Sequence, residues 1–334
     1  MSIPVVVTYF DGSPGYLKYA LKSAARLNSR IAFIGDATNK SVWEDHWDTS
    51  NEECTKWHAF MGSYVQMSDY TKSYEIGFWK RLFFLEEWMR RQRVERAFLI
   101  ESDLVTFADY TRDLYPSFPE QCVAALTIPE YQDNFHWAVS THVSYWTLQG
   151  LSSFTDFCVS AYAPGNRDNP VLKQLQTKYQ WHLANKKPGG ITEMTLLYLW
   201  TKNTRDVFNL LDVVNDQTVD FAITISANLV ADEYPMTSGL KKFVFREGRP
   251  YSYNKPLKRY VRFLCVHCQA GSKASMKFLA IPRFSRFYWL GQYERKLRRA
   301  SGWTSYAVRR VFHRVHQAIT VLIRGGPPPQ ARPS

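Results

Sequence analysis

The chain has 334 residues, of which 45% are hydrophobic, 16% aromatic and 22% charged, a globular balance that excludes disordered and fibrous classes. Its formal net charge of +12 is uneven: from Ile281 to Ser334 there are 11 Lys/Arg against one acid, Glu294, which leaves 31 against 29 in the residues before. A near-neutral body with a basic tail points to an anionic partner for the tail rather than to a nucleic-acid-coated fold, so no nucleic-acid partner is expected.

In chain order, Pro4 to Tyr9 is a short apolar run ending in the turn formers Asp11-Gly12-Ser13-Pro14-Gly15, which reads as strand then loop. Leu17, Ala20, Leu21, Ala24 and Leu27 recur at helical spacing, and Ile31 to Gly35 restores a strand, completing a β-α-β unit. A second helix is expected from about Phe78 to Arg93, followed by a strand at Ala97–Ile100. Cys122 to Ile128 reads as a further strand, and Thr192 to Lys202 as a helix with Thr192 as its N-cap. Alternating strands and helices favour an α/β fold with a mainly parallel sheet covered on both faces. Ligands then bind beyond the carboxyl ends of the strands, which directs attention to the residues after Tyr9, Gly35 and Ile100.

Five cysteines, Cys54, Cys122, Cys158, Cys265 and Cys268, are too few and scattered for a disulfide framework and suggest a reducing compartment. The start, M-S-I-P-V-V-V, has no charged n-region or long apolar run, and no stretch reaches about 18 apolar residues. The expectation is a cytoplasmic chain without signal peptide or membrane span.

The strongest chemical signal is F-L-I-E-S-D-L-V, where Glu101 and Asp103 follow an apolar strand. Two carboxylates at i and i+2 can converge on one cation once the chain leaves the extended form, and such oxygen ligands suit Mg²⁺ or Mn²⁺. The bland alternative is a solvated acidic loop. Taken together, the first strand and turn, the amphipathic helix and the strand running into E-S-D resemble a GT-A-fold glycosyltransferase, in which a D-x-D motif holds the metal that binds the diphosphate of a nucleotide-sugar. This chain has Glu101 at the first acidic position, so Asp103 is the firmer ligand.

Downstream, V-H-C-Q-A-G-S-K is similar to the H-x-x-G-x-x-K motif of the retaining, glycogenin-like enzymes, with the glycine displaced by one place. The resemblance implies that His267 completes the metal site with Glu101 and Asp103, and that Lys273 contacts the diphosphate. Gly271 allows backbone to approach phosphate. The C-x-x-C spacing of Cys265 and Cys268 invites a zinc reading, but structural zinc needs four ligands and no second such pair exists; these thiols are expected to pack as small apolar groups.

The resemblance also implies donor contacts at Thr8, Tyr9 and Asp11 after the first strand and at Ser102 within E-S-D, and a catalytic carboxylate at a late loop-helix junction, here Glu193 behind Gly189-Gly190. For Glu193 the competing reading is a favourable contact with the helix dipole, and for Asp11 a simple turn. Lys80 and Arg81 reach phosphate or are solvated helix charges. Trp137, His142, Tyr145 and Trp146 line an acceptor groove or belong to the core.

The expected organisation is a GT-A-type domain over residues 1–280, a basic helical extension over 281–324 and a disordered tail over 325–334. The extension interleaves Phe284, Phe287, Tyr288 and Trp289 with arginines. It either lies on an anionic membrane surface, at the inner face, or packs on the domain with a solvated Arg face. The implied function is transfer of a sugar from a nucleotide-sugar, of the UDP type, to a hydroxyl on a glycan, a lipid-linked acceptor or a small molecule. Two other classes remain: a nucleotidyltransferase, although D-G-S-P-G lacks the expected cation, and a silent carbohydrate-binding or scaffold protein, which Glu101 permits.

Overall fold

The computed structural model describes residues 2–132, 135–163 and 169–300, with the backbone alone at 296–300. Strands follow in the order Val5–Thr8 (β1), Ile31–Gly35 (β2), His46–Asp48 (β3), Arg96–Glu101 (β4), Leu104–Thr106 (β5), Ala124–Thr127 (β6), Ser140–Thr147 (β7) and Val207–Asn209 (β8). All but β5 join a seven-stranded sheet of order β3-β2-β1-β4-β7-β6-β8. Its pairings are parallel except those of β7, which runs against β4 and β6.

The helices Leu17–Ala25 (α1), Thr55–Ser63 (α2), Lys72–Arg91 (α3), Leu148–Tyr162 (α4), Pro170–Ala184 (α5) and Glu193–Asn203 (α6) flank this sheet on two faces. The two-residue period of a strand divides the core between them: Val6, Ala97 and Leu99 pack with side chains of α2, α3, α4 and α6, whereas Val5, Val7, Phe98 and Ile100 pack with Leu17 and Leu21 of α1. That two-sided burial is why β1 and β4 read as unbroken apolar runs. The fold is thus the α/β class expected, a mainly parallel sheet flanked by helices.

A second layer follows, from Gln217–Thr218 (β9), Met236–Thr237 (β10), Leu240–Lys241 (β11), Val244–Arg246 (β12), Arg249–Asn254 (β13), Arg259–Phe263 (β14) and Cys265–His267 (β15). β12, β13, β14 and β9 form a four-stranded sheet, while β15 pairs antiparallel with β5. Helices Met276–Leu279 (α7) and Leu290–Ala300 (α8) close the described chain, joined through the 3₁₀ segment Pro282–Phe287.

The start of the basic extension packs on the body. Phe284 and Tyr288 are buried in a core shared with Phe243 and Phe263, and the Tyr288 hydroxyl donates to the Lys241 carbonyl at 2.6 Å while accepting the Phe243 N–H at 3.0 Å. At these two positions the aromatics are core rather than membrane anchors. Residues 301–334, with the rest of the expected extension and tail, lie outside the described residues. Among the described residues no helix is long and apolar enough to cross a membrane. All five cysteines are buried and free.

Candidate functional site

Only Ser102 and Asp103 separate β4 from β5, and the two strands belong to different sheets. The chain therefore turns at E-S-D, which lets two carboxylates of an extended sequence point to one place. Strand β15 lies alongside β5 in the register Cys265↔Thr106, Val266↔Val105, His267↔Leu104, and the Cys268 N–H donates to the Asp103 carbonyl at 2.9 Å. This pairing delivers His267 to the acids. Its Nε2 is 3.4 Å from Asp103 Oδ1 and 3.8 Å from Glu101 Oε2, and one donor atom from each of Glu101, Asp103 and His267 lies within 4.8 Å of the others.

The imidazole is held from behind. Its Nδ1 is 2.8 Å from the Phe221 carbonyl, so that nitrogen donates and Nε2 is turned toward the carboxylates. His142 stacks on it, with ring centroids 4.2 Å apart and planes 10° from parallel. Burial, reinforced by the charge of His267, drives His142 well below its ordinary pKa, and it bonds through Nε2 to the Asp220 carbonyl at 2.8 Å. The Asp220 carboxylate accepts the His267 backbone N–H at 3.0 Å and pairs with Lys241 at 2.6 Å, with both side chains fully buried.

Charge is concentrated at this corner. Burial alone would raise the Asp103 carboxyl, but its contacts with His267 and Lys273 hold it down at about 2. Lys273 Nζ lies 3.2 Å from Asp103 Oδ2 and 3.3 Å from the Tyr16 hydroxyl; burial works against its charge, and Asp103 more than restores it. His267 is likewise opposed by burial, yet Asp103 and Glu101 push it up to about 9. Asp103 Oδ1 is buried without a hydrogen-bond partner, so the 3.4 Å approach of His267 is a charge contact and not a formed hydrogen bond. Two carboxylates, one with an unsatisfied oxygen, and an imidazole nitrogen aimed at them make a donor set that fits Mn²⁺ or Mg²⁺. A cation there would displace the His267 proton.

Arg81 completes the constellation. One guanidinium nitrogen contacts Glu101 and the other reaches Glu193 Oε1 at 2.6 Å. Glu193 opens α6 behind Thr192, the N-cap residue, whose N–H donates to the Thr195 hydroxyl at 3.4 Å. Burial raises the Glu193 carboxyl to about 7, with Arg81 opposing and Glu101 adding to the rise. Arg81 therefore ties the expected catalytic acid to the expected metal ligand. Its neighbour Lys80 points elsewhere, with Nζ 4.6 Å from the Phe10 ring and 5.0 Å from that of Phe84. On a helix one residue is a turn of about 100°, which separates two adjacent cations into different surroundings.

The remaining expected residues divide. Thr8 is the register partner of Glu101, and Tyr9 meets edge-on, at 6.3 Å, the Tyr16 ring whose hydroxyl bonds Lys273. Ser102 is buried between the acids. Asp11 has φ of 64° and donates its N–H to Asp36 at 2.6 Å, while the Gly12 N–H goes to Thr38 at 2.6 Å; this is a turn fastened to the end of β2. A β-carbon at Gly271 would fall 1.5 Å from the Arg295 guanidinium, so the glycine accommodates a side chain of α8 that nothing in the motif signals. Tyr145 and Trp146 are buried in the core, and Trp137 stacks on Tyr198 at 5.2 Å.

No family model matches the sequence, and no curated protein matches it. Solved structures do. The apo form of mouse xyloside xylosyltransferase 1 is 15% identical, with 65% of this chain and 88% of that one covered and a TM-score of 0.43. The galactosyltransferase LgtC, with donor and acceptor sugar analogues, is 13% identical over 62% and 73% of the two chains, with a TM-score of 0.36. A glycosyltransferase involved in glycosylation of the major capsid of PBCV-1 is 9% identical over 83% and 97%, with a TM-score of 0.38.

Proposed function

We propose that the protein is a glycosyltransferase that moves a sugar from a nucleotide-sugar, of the UDP class, to a hydroxyl acceptor with the help of a divalent cation. The observation that carries this reading is the convergence of Glu101, Asp103, His267 and Lys273 at the carboxyl ends of β1 and β4, where open α/β sheets bind ligands. Held by Glu101, Asp103 and His267, Mn²⁺ or Mg²⁺ would supply Lewis-acid stabilisation of the departing diphosphate.

The chain's own groups supply the rest. Lys273 offers a fixed positive charge beside Asp103 for the phosphates. Tyr9 and Thr8 face the nucleoside side of the donor. Arg81 fixes Glu101 and Glu193 relative to each other, so the metal ligand and the acid move as one unit. Glu193, whose carboxyl burial pushes up to about 7, orients the acceptor or faces the anomeric centre. Retention at the anomeric carbon belongs to the reading because it accompanies the His267 match.

The test is hydrolysis of a panel of UDP-sugars with and without Mn²⁺. Wild type should turn over one of them only with the cation, and Asp103→Ala should lose about a hundredfold. Absence of both turnover and metal-dependent UDP binding in wild type would refute the proposal.

A further inference from the structure

Three aromatic rings at the start of α3 touch one another without being buried together. Tyr74 and Phe78 meet edge to face with centroids 4.6 Å apart, and Tyr70 packs against them at 5.6 and 6.2 Å. Tyr70 is 43% exposed and Tyr74 57%. Two exposed rings resting on the half-buried Phe78 make a connected apolar patch of the kind that often marks a binding site.

Their position connects them to the site. Tyr74, Gly77, Phe78 and Arg81 follow at three- and four-residue spacing along α3 and so share one face. The Arg81 guanidinium lies 5.5 Å from the Phe78 ring while holding Glu101 and Glu193. A β-carbon added at Gly77 would meet no atom within 4 Å, so the helix presents an open shelf between the rings and the arginine. The charges of Lys273, Glu101 and Asp103 are felt at the Tyr74 phenol. The loop bearing Tyr70 is fastened to the segment that enters Glu193: the Asp69 N–H donates to the Gly189 carbonyl at 3.1 Å, the Gly189 N–H to Asp69 Oδ2 at 3.1 Å, and the Ile191 N–H to the Met67 carbonyl at 2.8 Å.

We propose that Tyr70, Tyr74 and Phe78, with the shelf at Gly77, form the platform on which a pyranose ring of the acceptor lies, with its reacting hydroxyl toward Glu193. The proposal deepens the transferase reading and rests on it. Pyranose C–H faces pack on aromatic rings, and the phenols and nearby carboxylates offer partners for the ring's hydroxyls. A nucleobase is the rival occupant, and sheet order argues against it. The turn of Asp11 and Gly12 is tied to the end of β2, on the outer side of β1, whereas Glu193 belongs to α6, which packs against β7 beyond β4. The platform's loop is bonded to the Glu193 side.

The experiment pairs saturation-transfer NMR, using methyl α- and β-glycosides of glucose, galactose and xylose, with calorimetry of UDP binding in Mn²⁺. Wild type should give a glycoside signal from its aromatic protons. Tyr74→Ala should weaken glycoside binding about tenfold, and Gly77→Leu, which fills the shelf and improves helix propensity, should abolish the signal. UDP affinity should be the same in all three proteins. The platform is overturned if no glycoside binds wild type, if both variants bind as wild type does, or if UDP affinity falls together with the glycoside signal, which would give the rings to the nucleotide. Wild type that binds no UDP would instead defeat the transferase reading, and the glycoside signal would still decide the platform.

Discussion

Replacing Arg81 with Met should expose the electrostatic design of the site. The guanidinium, 6% exposed, bridges Glu193 at 4% and Glu101 at 23%. Its removal leaves Glu193 without a counter-charge beside Glu101, which keeps the His267 imidazole at 3.8 Å; breaking a buried pair from one side costs about 3–5 kcal/mol. Glu193 can escape part of this cost by taking a proton, which makes the loss depend on pH. In the wild type the Glu193 carboxyl titrates at about 7 against an ordinary 4.5. The folded chain thus keeps a proton that the unfolded chain has released, so this group lowers stability progressively from pH 4.5 to 7 and by a constant amount above. Without Arg81, which pulls that value down, the decline continues to higher pH. Urea denaturation should therefore show a deficit for Arg81→Met that is larger at about pH 8.5 than at about pH 5.5, where Glu193 is neutral in both proteins, by up to about 2 kcal/mol, one proton being worth about 1.4 kcal/mol for each pH unit above 7. An equal deficit at both pH values, or one below about 1 kcal/mol throughout, would refute the reasoning.

Other consequences can be measured on the same protein. His267, at about 9 in the metal-free chain, must lose its proton to bind a cation, so Mn²⁺ affinity by calorimetry should rise about tenfold per pH unit between about pH 6 and 9; a flat profile would contradict His267 as a ligand. Lys241→Met strips the buried Asp220 of its partner and should cost about 3–5 kcal/mol in urea denaturation, whereas a loss below about 1 kcal/mol would show that the pair does not anchor His267. Gly190 has φ of 138°, and an added β-carbon would lie 2.3 Å from the Met67 carbonyl oxygen. Gly190→Ala should accordingly lower stability by about 2 kcal/mol or more, and a wild-type midpoint would refute the close approach.

Much of the site could be read from the sequence because strand ends are marked by a change of composition. E-S-D follows an apolar run, and that boundary is the turn from β4 into β5. His267 was recognisable through its motif, but not the means of its arrival: β5 and β15 are three-residue strands, too short to show a pattern, and their pairing depends on the packing of two sheets. Arg81 was hard to separate from Lys80 because both sit beside each other in a charged helix, and helix phase is fixed only by what the opposite face buries. Strand β7 hides for a different reason. All but the last of its eight residues are buried, so it lacks the alternation of a half-exposed antiparallel strand, and its aromatics can be taken for a groove. The four-stranded sheet of β9 and β12–β14 is built from short segments divided by turns, and its register comes from tertiary contact.

The central claim is that Glu101, Asp103 and His267 form one divalent-cation site. Mn²⁺ titration followed by electron paramagnetic resonance, on wild type, Asp103→Ala and His267→Ala in the presence of UDP, tests it most directly. The account predicts one saturable site per wild-type chain and its loss, or a weakening of at least about a hundredfold, in both variants. Saturable binding that survives both substitutions, or no binding by the wild type, would contradict it.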